Sequence, residues 1–208
     1  MYRPAAFRQD DLTALHAQIE STGLALLTSN GPAGLQATHL PLLLAAEDGE
    51  FGTLYGHFAR ANPHWQALDG QEALAVFSGP DAYVHPGWYP GKAEHGRVVP
   101  TWNYIAVHAW GAVETFDEPA RLLELLARLT ARHEAGRPRP WSLDEAPAEY
   151  IERQLRAIVG FALPIRRLEG QWKLSQNRQP ADHAGVREGL AASANPRDRE
   201  LAARMSPR

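Results

Sequence analysis

From Leu24 to Phe116 the chain is a succession of short runs in which apolar and polar residues alternate, separated by turns carrying Gly or Pro. Successive side chains of a strand point to opposite faces, so such alternation marks strands with one face on a core. "LALLTSN" and "LQATHLPLLLA" flank "GPAG" and read as two antiparallel strands around a turn. "FGTLYGHF" is a third strand, "EALAVFSG" a fourth and "AYVHP" a fifth, with Gly79-Pro80 between the last two. "NYIAVHAWGAVETF" is a long strand in which Gly111 marks a bend or bulge.

The pattern differs on either side of this block. "DDLTALHAQIESTG" has Leu12, Leu15 and Ile19 on one face, Asp10 or Asp11 as N-cap and Gly23 as stop, which predicts a short helix. "ANPHWQAL" starts a short helix at Pro63, and "YPGKAEHGR" reads as loop. "EPARLLELLARLTARHEA" puts Leu122, Leu125, Leu126 and Leu129 on one helical face; "GRPRPW" breaks it, and "APAEYIERQLRAI" is a further helix. "GFALPIRRLEG" reads as one more strand, with Pro164 implying an edge or bulge. "WKLSQNRQPADHAGVREGL" ends helical, and "NPRDRELAARMSPR" is a polar helical tail. Clustered short strands with segregated helices predict a mainly β fold, a closed antiparallel barrel with helices packed outside. The expected organisation is one domain over residues 1–190, followed by a helical tail over 191–208.

Composition narrows the chemistry. An apolar share of 44% over 208 residues supports a globular core. Without Cys there are no disulfides, thiolate nucleophiles or Cys-based metal sites, which fits the cytoplasm. The first eighteen residues lack a continuous apolar core, so no secretory leader is expected, and "HLPLLLAA" is too short to cross a bilayer. Net charge is −3 with His neutral, so the chain carries no overall basic excess for nucleic acid. The nine His form no HExxH or other close ligand pair, so no metal is expected; GxSxG, Walker and GxGxxG patterns are also absent.

Four clusters remain as candidate sites. In "YGHFARANPHW", Arg60 and Asn62 sit between a strand and a helix start, where Arg suits bidentate phosphate contact and Asn suits an N-cap. In "ATHLPLL", Thr38 and His39 interrupt an apolar strand, either on a solvated face or facing a ligand. Tyr83, Trp88, Tyr89, Trp102 and Tyr104 crowd into 22 residues, with Asn103 among them. They suit a core, an interface or stacking on a planar ring. "WKLSQNR" gathers Lys173, Ser175, Gln176, Asn177 and Arg178, a surface turn or a point of polar convergence.

Six segments together, "MYRPAAF", "HLPLLL", "GHFARANPHW", "VFSGPDAYVHPGWY", "VPTWNYIAVHAWG" and "KLSQNRQPADHAGVREGL", resemble the PaiB family in content and order over Met1 to Leu190. That family comprises FMN-binding split-barrel proteins also described as negative transcriptional regulators. The resemblance implies a split β-barrel related in plan to pyridoxamine-phosphate oxidase, forming a homodimer with FMN in clefts at the subunit interface. Carried over by motif, Arg60 and Asn62 would face the phosphate, and Thr38, His39 and Leu40 would line the flavin along a strand edge. Trp102 and Asn103 would approach from the interface, and Lys173 and Gln176 from the C-terminal motif. Two positions depart from the family pattern: His85, more often Ser there, and His183, more often Arg.

The expected function is an FMN-binding regulator or flavin-dependent sensor. Direct DNA contact has weak support, since the basic tracts are limited to Arg128, Arg132, Arg137 and Arg139 and the tail's Arg197, Arg199, Arg204 and Arg208. The alternatives are a flavin-dependent oxidoreductase on a small planar substrate, and a heme-binding or heme-degrading split-barrel protein with a His as axial ligand. The sequence leaves the substrate and redox partner open.

Overall fold

The computed structural model describes residues 1–32 and 34–206. The elements run β1 (Arg8–Gln9), α1 (Leu12–Ser21), β2 (Ala25–Gly31), β3 (Gly34–Leu40), β4 (Leu43–Ala45), β5 (Thr53–Ala59), β6 (Glu72–Val84), α2 (Gly91–His95), β7 (Thr101–Ala112), β8 (Glu114–Phe116), α3 (Pro119–Glu134), α4 (Ala148–Arg156), β9 (Ile158–Pro164), β10 (Arg167–Lys173), α5 (Pro180–Ala191) and α6 (Pro196–Ala203). They divide into two compact units.

The first unit comprises Met1–Gln18, Ser78–Val107 and Glu169–Arg208. Here β1 pairs antiparallel with β10, Arg8 opposite Gln171, and the neighbour order continues through β7 to β6. Its core joins Val84, Tyr89, Ile105 and Leu174 to Val186 and Leu190 of α5 and Leu201 of α6, all buried. Gly189 lets the Trp88 ring lie on α5, since a Cβ there would fall 2.4 Å from Cδ2 of that ring. The tail predicted polar and helical is helical over Pro196–Ala203 and buries Leu201 and Ala202; its residues 207 and 208 lie outside the described residues.

The second unit comprises Ile19–Phe77 and His108–Leu168. The predicted hairpin forms: β2 pairs with β3 from Ala25 opposite Leu40 to Gly31 opposite Gly34, and β2 also pairs with the start of β6. A separate antiparallel sheet runs β4-β5-β9-β8. The apolar face of α3 supplies Leu122, Leu125 and Leu129 to a core with Leu43, Phe116 and Leu155. Burying each such side chain contributes about 1.5–3 kcal/mol.

Four local expectations are corrected. "LQATHLPLLLA" is two strands, β3 and β4, in different sheets. Pro41 between them has no N–H to continue a ladder. Gly79-Pro80 is no turn: β6 runs through it, and the buried positions shift from Ala73, Ala75 and Phe77 to Pro80, Ala82 and Val84. One extra residue in a strand produces such a shift of phase, and Pro is tolerated at that irregularity. "GFALPIRRLEG" splits after Pro164 into β9 and β10. "YPGKAEHGR" holds the short helix α2, stopped by Gly96 at φ +65°.

Candidate functional site

Among the described residues, each unit contains a cluster of hydrogen-bonded polar side chains that are buried or half-buried. In the second unit, the β2–β3 hairpin presents Ser29 and Thr38 to His64, which lies in a short 3-10 helix (Pro63–Ala67) after β5. His64 is 3% exposed. Its Nε2 is 2.9 Å from Ser29 Oγ and its Nδ1 is 2.8 Å from Thr38 Oγ1. Two hydroxyls, each able to donate or accept, satisfy both nitrogens of a neutral ring. Burial holds the imidazole below the usual histidine value, which favours that neutral form. Asn62 Nδ2 donates to Thr38 Oγ1 at 3.3 Å, while its Oδ1 accepts from the His64 backbone N–H at 3.0 Å and so caps the 3-10 turn.

Arg60 follows directly after β5. Its Nε donates to Arg156 O and its Nη2 to Ile158 O, both at 3.0 Å, which closes the C-terminus of α4. Asp117 lies 3.3 Å from the same Nη2. The side chain is 38% exposed and lines a cavity of about 630 Å³ with Pro119, Leu122, Glu152 and Leu155. Of the other β3 candidates, His39 is exposed opposite Leu26, and Leu40 is buried opposite Ala25.

In the first unit, β7 and the end of β10 bring a second set together. Asn103 and Ser175 are 1% and 4% exposed. Asn103 Nδ2 lies 3.0 Å from Ser175 Oγ. Lys173 Nζ donates to Thr101 Oγ1 at 2.6 Å and to the carbonyl of Trp102. Burial first, and Arg178 second, hold the Lys173 ammonium below the usual lysine value. Gln176 folds back on its own turn: its Oε1 accepts from Leu174 N at 2.7 Å, and its Nε2 donates to Trp172 O. Ser175 has φ +63°, the single positive φ at a non-glycine residue among those described. Such backbone costs about 1–3 kcal/mol and persists where its surroundings fix it.

On the same unit Trp102 is 54% exposed and Tyr83 44% exposed, their rings edge-to-face at 6.0 Å. Tyr89, by contrast, is buried beneath the Arg178 guanidinium, 4.9 Å from the ring centre. The aromatic cluster thus divides into core and surface members. His85 accepts from Gly87 N at 2.9 Å and caps a 3-10 turn. A Ser side chain can also accept at an N-cap, so the geometry of this position suits either residue. His183 is buried on α5.

Sequence reading singled out Thr38, Asn62, Asn103 and Lys173 but not the roles of His64, Ser29 and Thr101. Those partners stand 26 to 72 residues apart in the chain and leave no spacing signal. Arg178 and Ser175 were visible as part of a polar run, without an assigned contact.

Comparison with known proteins bears on what these clusters serve. A family model described as "Putative FMN-binding domain" matches residues 1–167. The chain is 33% identical over 208 residues to "Protease synthase and sporulation protein PAI 2" of Bacillus subtilis, covering 99% of this chain and 96% of that protein. Among solved structures, the flavocytochrome Anf3 from Azotobacter vinelandii superposes with a TM-score of 0.60 at 19% identity, over 83% of this chain and 72% of that one. An FAD and heme binding protein from Mycobacterium smegmatis superposes at 0.58 and 17% identity, over 80% and 73%. The expected fold class holds: mixed β with helices, of the split-barrel type, with α5 and α6 at the C-terminal end.

Proposed function

Because the chain belongs to the FMN-binding domain family represented by PAI 2, we propose that it is a homodimeric FMN-binding protein of the cytoplasm, acting as a flavin-dependent sensor or negative transcriptional regulator. The match of the family model over residues 1–167 carries this reading. The residues fit the group in kind. Lys173, Asn103 and Thr101 border a small cavity and offer it polar groups suited to a phosphate ester, and the exposed ring of Trp102 suits a planar heterocycle.

Bound FMN would supply reversible electron and hydride transfer, and the chain's part is to bind and orient it. In the first unit Trp102, Asn103, Lys173 and Gln176 are the candidate contacts. In the second unit the candidates are Thr38, His39 and Leu40 with Arg60 and Asn62. His64 keeps Thr38 and Asn62 in place through the bonds described above. The name of PAI 2 refers to protease synthesis and sporulation, and a regulatory role is the reading brought from it to this chain.

Protein incubated with excess FMN and passed through gel filtration should carry the flavin's visible absorbance at the elution volume of a dimer. Flavin emerging only at the small-molecule volume would overturn the reading. The two fold neighbours named for flavin and heme make a second reading specific: an oxidoreductase. Anaerobic bleaching of the bound flavin by NAD(P)H favours it, and flavin reduced by dithionite alone counts against it. A Soret band on hemin titration would point to heme.

A further inference from the structure

The end of β10 and the turn between β10 and α5 place two cations beside one small cavity. Lys173 and Arg178 line it with Thr101, Asn103, Ser175, Asn177 and Phe7, in a volume of about 160 Å³. That is room for about five waters, enough for a tetrahedral oxyanion and too little for a fused three-ring system. Among the described residues neither cation forms an ion pair with a carboxylate. Lys173 is held by a hydroxyl and a carbonyl, and Arg178 lies on the face of Tyr89. Asp182, the nearby acid, lines an adjoining cavity of about 390 Å³ and accepts the Gly91 N–H at 3.0 Å.

Two partly buried like charges beside one cavity repel each other unless an anion lies between them. The Lys173 ammonium shows that cost, being held below its ordinary value by burial and by Arg178. The backbone is committed to the arrangement as well. Ser175, at positive φ, is buried and tied to Asn103, which fixes the turn carrying both cations.

We propose that Lys173 and Arg178, with the Thr101 and Asn103 side chains, form a binding site for a phosphate monoester. Charge-assisted bonds from an ammonium and a planar guanidinium suit that group. The adjoining cavity shares Asn177 and Arg178 and gives the rest of such a ligand room to extend. Two sources carry the same chemistry: the phosphate of FMN, in which case the site deepens the function proposed above, or a separate phosphorylated small molecule.

The chain has two lysines, Lys92 and Lys173, so each can be followed by mass spectrometry during reductive methylation of the intact protein. Inorganic phosphate should slow modification of Lys173 several-fold and leave Lys92 unchanged, against chloride of equal ionic strength. Arg178→Gln should raise the phosphate concentration needed for half-maximal protection about tenfold, since it removes a charge-assisted partner. Protection by FMN but not by riboflavin identifies the flavin phosphate as the source. Protection by phosphate that persists with FMN already bound identifies a separate ligand. Lys173 modified at the same rate with chloride, phosphate and FMN overturns the proposal. The phosphate arm needs no flavin, so a failure of FMN binding is read independently by the gel-filtration experiment.

Discussion

At the scale of single residues, one side chain serves two purposes that experiment can separate. Arg60 holds the carbonyls of Arg156 at the end of α4 and Ile158 at the start of β9, and borders a cavity. Arg60→Ala should cost about 1–2 kcal/mol of stability from the lost hydrogen bonds, read by denaturant titration. If Arg60 also contacts the phosphate, the variant weakens FMN binding more than riboflavin binding; equal losses would leave it a structural role alone. His64 has a different signature. Burial lowers the pKa of His64 and also of His57, whose Nδ1 is buried without a hydrogen-bond partner. A folded pKa below the unfolded value means the unfolded chain binds more protons as pH falls below about 6.5. Stability should therefore be full above that pH and fall on acidification through the folded values, by at most about 1.4 kcal/mol per pH unit for each histidine. His64→Gln should shrink this dependence; an unchanged profile in both His64→Gln and His57→Gln would refute the assignment.

At the scale of elements, the strands and helices were legible because alternation and the 3.6-residue period are local. The β2–β3 hairpin and the buried leucines of α3 follow directly from them. The misread stretches all involve Pro or Gly, whose local meaning depends on the sheet around them. Pro41 and Pro164 each separate strands that belong to different sheets, whereas Pro80 lies within one. Gly111, read as a bend or bulge in one long strand, lies just before the break between β7 and β8, which belong to different sheets, and it also meets a close approach: a Cβ there would sit 2.1 Å from the carbonyl oxygen of Pro164. That nearest neighbour is backbone, so backbone must shift. Gly111→Ala should destabilise by about 3 kcal/mol, measured as a lower midpoint in urea, while Gly136→Ser, in open space at positive φ, should cost less. The site was half legible for a related reason. Asn103 and Ser175 meet across 72 residues, and nothing in either local sequence announces the other.

At the scale of the whole molecule, charge limits how this chain can meet a polyanion such as DNA. A net charge of −3 gives no general attraction to a polyanion. Duplex DNA should bind weakly at about physiological salt, with a shallow salt dependence in a fluorescence-anisotropy titration. A steep slope, corresponding to several phosphates neutralised, would locate a basic surface that the composition conceals. Among the described residues no helix is long and apolar enough to cross a membrane. Calorimetric titration with FMN and with riboflavin tests the central claim most directly. FMN should bind at one site per chain, about tenfold or more tighter than riboflavin, because only FMN carries a group for charge-assisted bonds. No binding heat with either flavin, or equal affinity for both, would contradict an FMN protein that recognises its ligand through the phosphate.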